Sequence, residues 1–190
     1  MERGTVDYSW SNSSVGYISI VIDHRRTERE IEINVSTSII DSPIGPLQLV
    51  ASETAVCSLN WPLQHKSQEP QSARAARVIE QAAEELRLFF AGRLTVFTVP
   101  LAPDGSQFQQ AVWSILRTIP WGGTLSYREV AEGLQKPSAA RAVGTAVGKN
   151  PLPIFIPCHR IIGSNGSLTG FSGGLEAKRL LLDLEGHKTP

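Results

Sequence analysis

Three prolines within seven residues, Pro151, Pro153 and Pro157, constrain the backbone more than any other stretch of the sequence. Each proline fixes its own φ and pushes the residue before it towards extended geometry, so the chain that leads to Cys158 is stiff. The polar run Pro157-Cys158-His159-Arg160 is flanked by apolar residues on both sides. A cysteine attacks as its thiolate, and a histidine within hydrogen-bond reach, directly or through one water, is a usual activator. Cys158 is therefore a candidate nucleophile with His159 as its partner, although an isolated cysteine is more often a buried apolar filler.

The segment after this run is rich in glycine and turn residues. Residues 163–167 predict a turn, and residues 168–174 place three glycines around Phe171. Glycine lets a backbone approach a ligand closely, and an aromatic ring offers a flat apolar face. The segment therefore favours a pocket for a planar molecule, and a β-hairpin with a glycine bulge is the alternative.

A short helix is predicted upstream of the cysteine. Ser126 and Glu129 have the spacing of a capping box, in which each side chain bonds the backbone of the other residue. The helix that they begin is expected to run to about Gly133 or Leu134.

A second helix follows a tight turn at residues 136–138, where Ser138 is the expected N-cap. This helix is predicted over residues 139–147, with its stop at Gly148. It consists almost entirely of small residues, which would let it approach a surface such as a narrow DNA groove. The pair suggests a helix-turn-helix, and packing of one helix on another through alanine and glycine is the alternative. One face of the second helix carries Arg141, Gly144, Thr145 and Gly148.

Residues 108–187 resemble the catalytic domain of the O6-alkylguanine-DNA alkyltransferases, the family of methylated-DNA–protein-cysteine methyltransferases. A weaker match at residues 42–47 extends into the smaller N-terminal domain of that family. The matching elements, in the order of the family, are Phe108-Gln109-Gln110-Ala111-Val112-Trp113, Ser126-Tyr127, Ala139-Ala140-Arg141-Ala142-Val143-Gly144, Asn150-Pro151, Ile156-Pro157-Cys158-His159-Arg160, Ser172-Gly173-Gly174, and Leu181-Leu182 to Glu185-Gly186-His187.

The resemblance implies roles for four residues in alkyl transfer. Cys158 would accept the alkyl group of O6-alkylguanine as a stable thioether, and His159 would draw the thiol proton through a bound water. Glu185 would accept a hydrogen bond from the imidazole; without the resemblance it reads as an exposed carboxylate at a helix end. Asn150 would brace the turn that carries Cys158, and an ordinary Asn-Pro turn is the alternative.

The resemblance also implies a substrate pocket and a DNA surface. The alkyl group lies in the major groove of a stacked base, so the nucleotide must be flipped out to reach a buried thiol. In the family the helix-turn-helix enters the minor groove and an arginine at the position of Arg141 fills the vacated space; otherwise Arg141 is a surface cation. The expected substrate-binding residues are Tyr127, Ile161, Phe171 and Ser172. The expected DNA-binding residues are Ser126, Tyr127, Ala139, Ala140, Arg141, Gly144 and Thr145.

One residue departs from the family pattern, because Phe171 stands where tyrosine is common and its ring lacks a hydroxyl.

Two other function classes remain open. The chain could be a lesion sensor with an inert Cys158, like the alkyltransferase-like relatives that carry tryptophan there and only bind DNA. It could also be a thiol hydrolase that uses Cys158, His159 and Glu185 on acyl substrates.

Charge is divided between the two halves of the chain. Residues 1–104 contain 9 basic and 13 acidic residues, a net charge of −4, and residues 105–190 contain 9 and 5, a net charge of +4. The basic half also carries the candidate site, which favours weak, salt-sensitive and largely sequence-independent binding to duplex DNA. The resemblance implies that the partner is double-stranded DNA containing O6-alkylguanine. The cysteine and histidine set of the N-terminal zinc site found in some relatives is missing, so we expect neither a metal nor another cofactor.

The chain has only two cysteines and no long apolar run. We expect a monomer that uses no membrane and is cytoplasmic, or nuclear in a eukaryote. Strands are predicted at residues 17–22, 31–40, 47–51 and 55–59, followed by an amphipathic helix from Ser72 to Gly92.

These elements predict an α/β (α+β) fold. It comprises an N-terminal extension of unclear role over residues 1–36 and a small antiparallel-sheet and helix domain over residues 37–104. A mainly helical C-terminal domain follows over residues 105–190, with a winged-helix-like helix-turn-helix and the DNA-binding site.

Overall fold

The computed structural model describes residues 17–20, 31–61 and 72–187. Its first two strands, β1 (Tyr17–Ile20) and β2 (Ile31–Asn34), form an antiparallel pair. A separate antiparallel sheet has the order β3 (Ser36–Ile40), β4 (Leu47–Ala51) and β5 (Val56–Asn60). The single strand predicted over residues 31–40 is wrong, because Val35 separates two strands that pair in different sheets. Most of the predicted N-terminal extension lies outside the described residues.

One long helix, α1 (Ala73–Phe90), covers the three-stranded sheet, and its prediction is confirmed. The Ser72 side chain accepts a hydrogen bond from the Ala75 amide, which satisfies one free N–H of the first turn. Apolar residues at helical spacing face the sheet, where the alternating Leu47, Leu49 and Ala51 of β4 are fully buried. The helix residues buried on this side are Ala75, Ile79, Ala82, Leu86 and Phe89.

Residues 106–187 contain the α-helices α2 (Gln107–Leu116), α3 (Tyr127–Gly133), α4 (Ala140–Gly148) and α5 (Gly174–Leu184). The predicted capping box is confirmed, because the Ser126 hydroxyl accepts from the Glu129 amide while the Glu129 carboxylate accepts from the Ser126 amide. The predicted N-cap at Ser138 is wrong. Residues Pro137–Ala139 form a 3-10 turn that continues into α4, so Ser138 already has a helical backbone, whereas an N-cap needs an extended one.

Two short parallel strands, β6 (Leu125–Ser126) and β7 (Ile161–Ile162), bring the start of α3 next to the segment that follows Cys158. Residues 163–173 form an irregular loop with turns at residues 164–165 and 172–173, and the Gly163 amide donates to the Ser167 carbonyl. The alternative prediction of a β-hairpin over residues 168–174 is therefore wrong.

Residues 35–104, called here the N-terminal unit, pack against residues 105–187, the C-terminal unit. One continuous core contains buried side chains from both units. Strand β5 takes part in this contact, because the Leu59 amide donates to the Pro151 carbonyl. The predicted mixed fold, a small antiparallel sheet followed by helices, is confirmed. Within the described residues, every helix is too short or too polar to cross a membrane.

Candidate active site

Cys158 lies at a pocket in the C-terminal unit. A one-turn 3-10 helix, Cys158–Arg160, follows the proline-rich segment and leaves the cysteine 5% exposed. The pocket has a volume of about 330 Å³. It gathers residues from α3, α4, the Asn150 turn and the glycine-rich loop, and its other lining residues are Tyr127, Gly144, Val147, Gly148, Asn150, Gly170, Phe171 and Ser172. The sequence therefore correctly predicted that the glycine-rich segment and Cys158 face the same pocket.

Behind the cysteine lies a fully buried charged network. Nε2 of His159 is 2.9 Å from Oε1 of Glu185, and both side chains are inaccessible to solvent. Arg160 donates to both carboxylate oxygens, from Nε at 2.9 Å and from a terminal nitrogen at 2.8 Å. The Gly122 amide donates to Oε2 at 3.2 Å. The reading of Glu185 as an exposed helix-end carboxylate is therefore wrong, because the turn after α5 carries it into the core.

The second nitrogen of the His159 imidazole is not used by the Glu185 hydrogen bond. Nδ1 of His159 is the buried side-chain polar atom that has no hydrogen-bond partner among the described residues. A buried polar group without a partner costs free energy, so such groups persist where function uses them or a water completes them. Because Glu185 holds Nε2, the tautomer with its proton on Nε2 leaves Nδ1 free to accept a proton.

Burial sets the ionisation states in this site. It raises the pKa of the Cys158 thiol to about 11, although a hydrogen bond from Asn150 and the charge of Lys178 act in the opposite direction. It also lowers the pKa of His159 below the usual value, against the effect of Glu185. Burial pushes the pKa of Glu185 upwards, but hydrogen bonds from His159 and Arg160 outweigh it and bring the pKa to about 2. At neutral pH the resting site therefore holds a thiol, a neutral imidazole and a carboxylate.

Asn150 braces the turn that precedes the cysteine. Its Nδ2 donates to the Ile156 carbonyl at 2.8 Å, and its Oδ1 accepts from the Leu152 amide at 3.0 Å. The turn includes Ile154, a buried β-branched residue with a φ of 75°. Since this backbone conformation is costly for such a residue, the Asn150 hydrogen bonds hold the segment in a shape that it would not otherwise keep.

The predicted DNA-binding residues lie on and around the helix pair. Val143, Ala146 and Val147 of α4 are buried, and the Trp113 indole donates to the Ala146 carbonyl at 2.9 Å. The opposite side of α4 exposes Arg141 and Thr145, and Ala139 and Ala140 are half-buried at its start. Ser126 is 8% exposed and its hydroxyl caps α3.

Two predicted substrate-binding residues, Ile161 and Tyr127, already have hydrogen-bond partners within the protein. Ile161 is fully buried beside the pocket, and its carbonyl accepts a hydrogen bond from Nζ of Lys178. Tyr127 lines the pocket, but its hydroxyl is hydrogen-bonded to the Thr169 hydroxyl at 2.8 Å. Carbonyl oxygens have two lone pairs, so the Ile161 carbonyl keeps one for a further donor.

Sequence reasoning missed Lys178, Thr169 and the charge partner Arg160. Nζ of Lys178 also donates to the Thr169 carbonyl at 2.8 Å, so the lysine joins β7 to the glycine-rich loop. Burial lowers the pKa of Lys178 to about 8. A lysine in an amphipathic helix is normally exposed, and no local pattern marks this one. A signal for Arg160 was available in the sequence. Arg160 directly follows His159, and the resemblance had already paired His159 with Glu185.

Two sequence profiles match the chain. The profile of the 6-O-methylguanine DNA methyltransferase ribonuclease-like domain matches residues 35–103, and that of the DNA binding domain of the same protein type matches residues 107–187. The chain belongs to the 6-O-methylguanine DNA methyltransferase family. The family predicted from the sequence motifs is confirmed.

Similar proteins support this membership over most of the chain. The methylated-DNA–protein-cysteine methyltransferase of Methanosarcina acetivorans is 44% identical over 151 residues, which cover 78% of this chain and 97% of that protein. The Mycobacterium tuberculosis protein of the same name is 45% identical over 154 residues, or 80% of this chain and 92% of that protein. The crystal structure of M. tuberculosis OGT in complex with DNA has a TM-score of 0.70 and 45% identity, and it covers 77% of this chain and 90% of that one.

Proposed function

We propose that this member of the methyltransferase family repairs double-stranded DNA by moving the alkyl group of O6-alkylguanine to its own Cys158. The observation that carries the proposal is the buried Cys158 at a pocket beside an exposed small-residue helix, with the His159–Glu185 pair behind it. A DNA complex of a similar protein and the names of the relatives support the same reaction.

The transfer step follows from the ionisation states of the site. The thiol proton passes through one water to Nδ1 of His159, and Glu185 stabilises the imidazolium that forms. The sulfur then attacks the alkyl carbon in line, a C–S bond forms, and the C–O6 bond breaks with its electron pair on guanine oxygen. The proton returns to the guanine, which leaves as ordinary guanine. A thioether does not hydrolyse under physiological conditions, so each protein molecule reacts once.

The pocket would hold the flipped base by several contacts. The ring of Phe171 would stack on the base, and Ser172 would donate to O6 as negative charge develops there. Tyr127 would donate to the guanine ring, exchanging its bond to Thr169 for one to the substrate. The Ile161 carbonyl would accept from the exocyclic amine with its remaining lone pair.

The helix pair would supply the DNA contacts. We assign duplex binding to Ser126, Tyr127, Ala139, Ala140, Arg141, Gly144 and Thr145, with α4 in the minor groove. Arg141 is exposed on α4 and long enough to fill the space that the base leaves. Gly144 lies close to Tyr127, and a Cβ there would meet the tyrosine ring at 3.7 Å.

We also propose that the chain acts as a monomer, since one chain supplies the whole pocket, and that it works in the cytoplasm, or in the nucleus of a eukaryote. Its two free thiols fit a reducing compartment.

The decisive experiment is peptide mass measurement after incubation with a duplex that contains one O6-methylguanine. We expect the Cys158 peptide to gain one CH₂ and the gain to saturate at one per protein. Cys158→Ser should abolish it, while Cys57→Ser, which removes the other cysteine of the chain, should leave it unchanged. Binding without a mass change would replace the proposal with the lesion-sensor function, and turnover of acyl substrates would replace it with a hydrolase.

Arg141→Ala separates base flipping from chemistry. We expect transfer from duplex DNA to slow by about ten- to a hundredfold, because unstacking a base costs a few kcal/mol. Reaction with free O6-benzylguanine needs no flipping and should stay near the wild-type rate. Arg179→Ala, which removes an exposed arginine from α5, is the matched control. Equal losses on both substrates would refute the flipping role.

A further inference from the structure

A tryptophan of the N-terminal unit touches the substrate pocket of the C-terminal unit. Trp61 directly follows β5, and its ring meets Phe171 edge to face, with centroids 5.5 Å apart and planes at 80°. The same ring fills the space beside Gly173, where a Cβ would lie 2.4 Å from the indole. Trp61 is therefore packed against the pocket loop, residues 170–173.

The position of Trp61 is itself fixed. Its indole N–H donates to the Ile44 carbonyl at 3.1 Å, which ties the ring to the turn between β3 and β4. Two residues earlier, the Leu59 amide donates to the Pro151 carbonyl at 2.9 Å. Leu59 near the end of β5 thus contacts Pro151, the residue after the pocket residue Asn150, and Trp61 contacts the pocket loop.

The two ends of the pocket loop are held from within the C-terminal unit. Thr169 is bonded to Tyr127 through its hydroxyl and to Lys178 through its carbonyl, and α5 begins at Gly174. Between these ends the loop contains Gly170, whose missing side chain would meet nothing within 4 Å. A glycine-containing segment of this kind has more conformational freedom than its neighbours, so an outside contact is needed to fix it.

Phe171 links this contact to the reacting groups. Its ring lies between Trp61 and the imidazole of His159, with centroids 6.5 Å apart on the histidine side. Movement of Trp61 would therefore shift Phe171, the ring on which the base would stack. A misplacement of about 1 Å at a reacting site can cost about a hundredfold in rate.

We propose that Trp61 is a positioning residue for alkyl transfer, which fixes Phe171 and Gly173 and so sets the width of the pocket for the alkylated base. The inference rests on the function proposed above. It gives the N-terminal unit a role in substrate recognition, although that unit contributes no reacting group.

A double-mutant cycle between Trp61 and Gly173 tests the contact. Gly173 has a φ of −84°, which alanine adopts freely, so the indole ring is the obstacle to Gly173→Ala. We expect Gly173→Ala to slow single-turnover reaction with O6-benzylguanine by about ten- to a hundredfold and Trp61→Leu by about tenfold. In the Trp61→Leu background, Gly173→Ala should cause little further loss, because the obstacle is gone.

Two readouts distinguish positioning from stability. The Trp61 variants should show a higher half-saturating concentration of O6-benzylguanine, while iodoacetamide, which needs no oriented base, should alkylate Cys158 at the wild-type rate. Phe90→Leu is the matched control, since Phe90 is a half-buried aromatic residue of α1 that contacts Phe89. It should lower the melting temperature without changing the half-saturating concentration. Trp61→Phe keeps a ring but loses the N–H, and should recover part of the loss.

The outcomes separate the two proposals. A wild-type protein that accepts no alkyl group from O6-methylguanine DNA or O6-benzylguanine would overturn the proposed function, and this inference with it. A wild-type protein that reacts, beside a Trp61→Leu variant with the same rate and half-saturating concentration, would overturn the inference alone. Additive effects in the double-mutant cycle would also refute it.

Discussion

The N-terminal and C-terminal units each bury one glutamate, and the two sites differ in what surrounds the carboxylate. Glu85 on α1 is 8% exposed and Glu185 after α5 is 5% exposed. Both accept several hydrogen bonds, and these lower the pKa of both carboxyls against the opposing effect of burial. By burial and by pKa alone, either carboxylate would qualify as part of an active site.

The two carboxylates differ in their hydrogen-bond donors. Glu85 accepts from the amides of Thr98 and Val99, from the Thr98 hydroxyl and from Gln81, all of which are neutral. Glu185 accepts from His159 and Arg160, and the histidine keeps a buried nitrogen that has no partner in the described part of the chain. A satisfied carboxylate fastens a segment of chain, whereas a carboxylate bonded to an incompletely bonded histidine can support proton transfer. The free nitrogen, more than the shifted pKa, marks the functional site.

The largest expected difference between the two sites is in transfer rate. Glu185→Gln should slow single-turnover transfer by about a hundred- to a thousandfold, because the imidazolium loses its stabilising charge. Glu85→Gln should leave the rate unchanged and lower the free energy of unfolding by about 1–3 kcal/mol, since donors that faced a carboxylate lose a partner. Rates are measured at a temperature where circular dichroism shows both variants folded. If both variants lost rate in proportion to stability, the distinction between the two carboxylates would fail.

Local sequence signals predicted the helices but did not identify the two buried carboxylates. The capping box of α3 and the amphipathic stripe of α1 depend on residues a few positions apart, and they were predicted correctly. Glu85 reads as an ordinary exposed helix residue, because its burial results from residues 98 and 99 folding back from outside the helix. Glu185 was found through the family motif alone, since it lies 26 positions from His159.

The same reasoning explains the other misses. Trp61, Thr169 and Lys178 act through contacts across 9 or more positions of sequence, so neither periodicity nor spacing identifies them. Ser138 failed as an N-cap because a 3-10 turn preceded α4, a choice that tertiary packing makes. The candidate site was nevertheless largely predictable, because its pocket is built from Cys158, Asn150 and a contiguous glycine-rich loop that composition already marked.

A second comparison uses two arginine–glutamate pairs at the two ends of α5. Arg160 and Glu185 are almost fully buried, whereas Arg179 and Glu176 have exposed fractions of 48% and 97%. Arg160→Met removes the charge that faces a buried carboxylate and should lower the free energy of unfolding by about 3–5 kcal/mol. Arg179→Met should change it by less than about 0.5 kcal/mol. Urea unfolding at neutral pH measures both, and similar losses would mean that the Arg160 pair is hydrated in solution.

The smallest expected effect is in acid, where the two carboxylates should differ in how much stability they lose. The folded pKa of Glu185 is about 2, below its ordinary value of 4.5, so its contribution is fully present above about pH 4.5 and is lost as the pH falls towards 2. From about pH 5.5 to about pH 3.5, ionised Glu185 should account for a loss of about 1–1.5 kcal/mol in the free energy of unfolding. Glu185→Gln should remove that part of the pH dependence, and Glu85→Gln should remove less, because neutral donors hold an anion less strongly than a guanidinium does. Urea unfolding at the two pH values gives the three slopes. A shallower slope for Glu85→Gln than for Glu185→Gln would contradict this ranking, because the donors of Glu85 would then stabilise its charge more strongly than Arg160 and His159 stabilise that of Glu185.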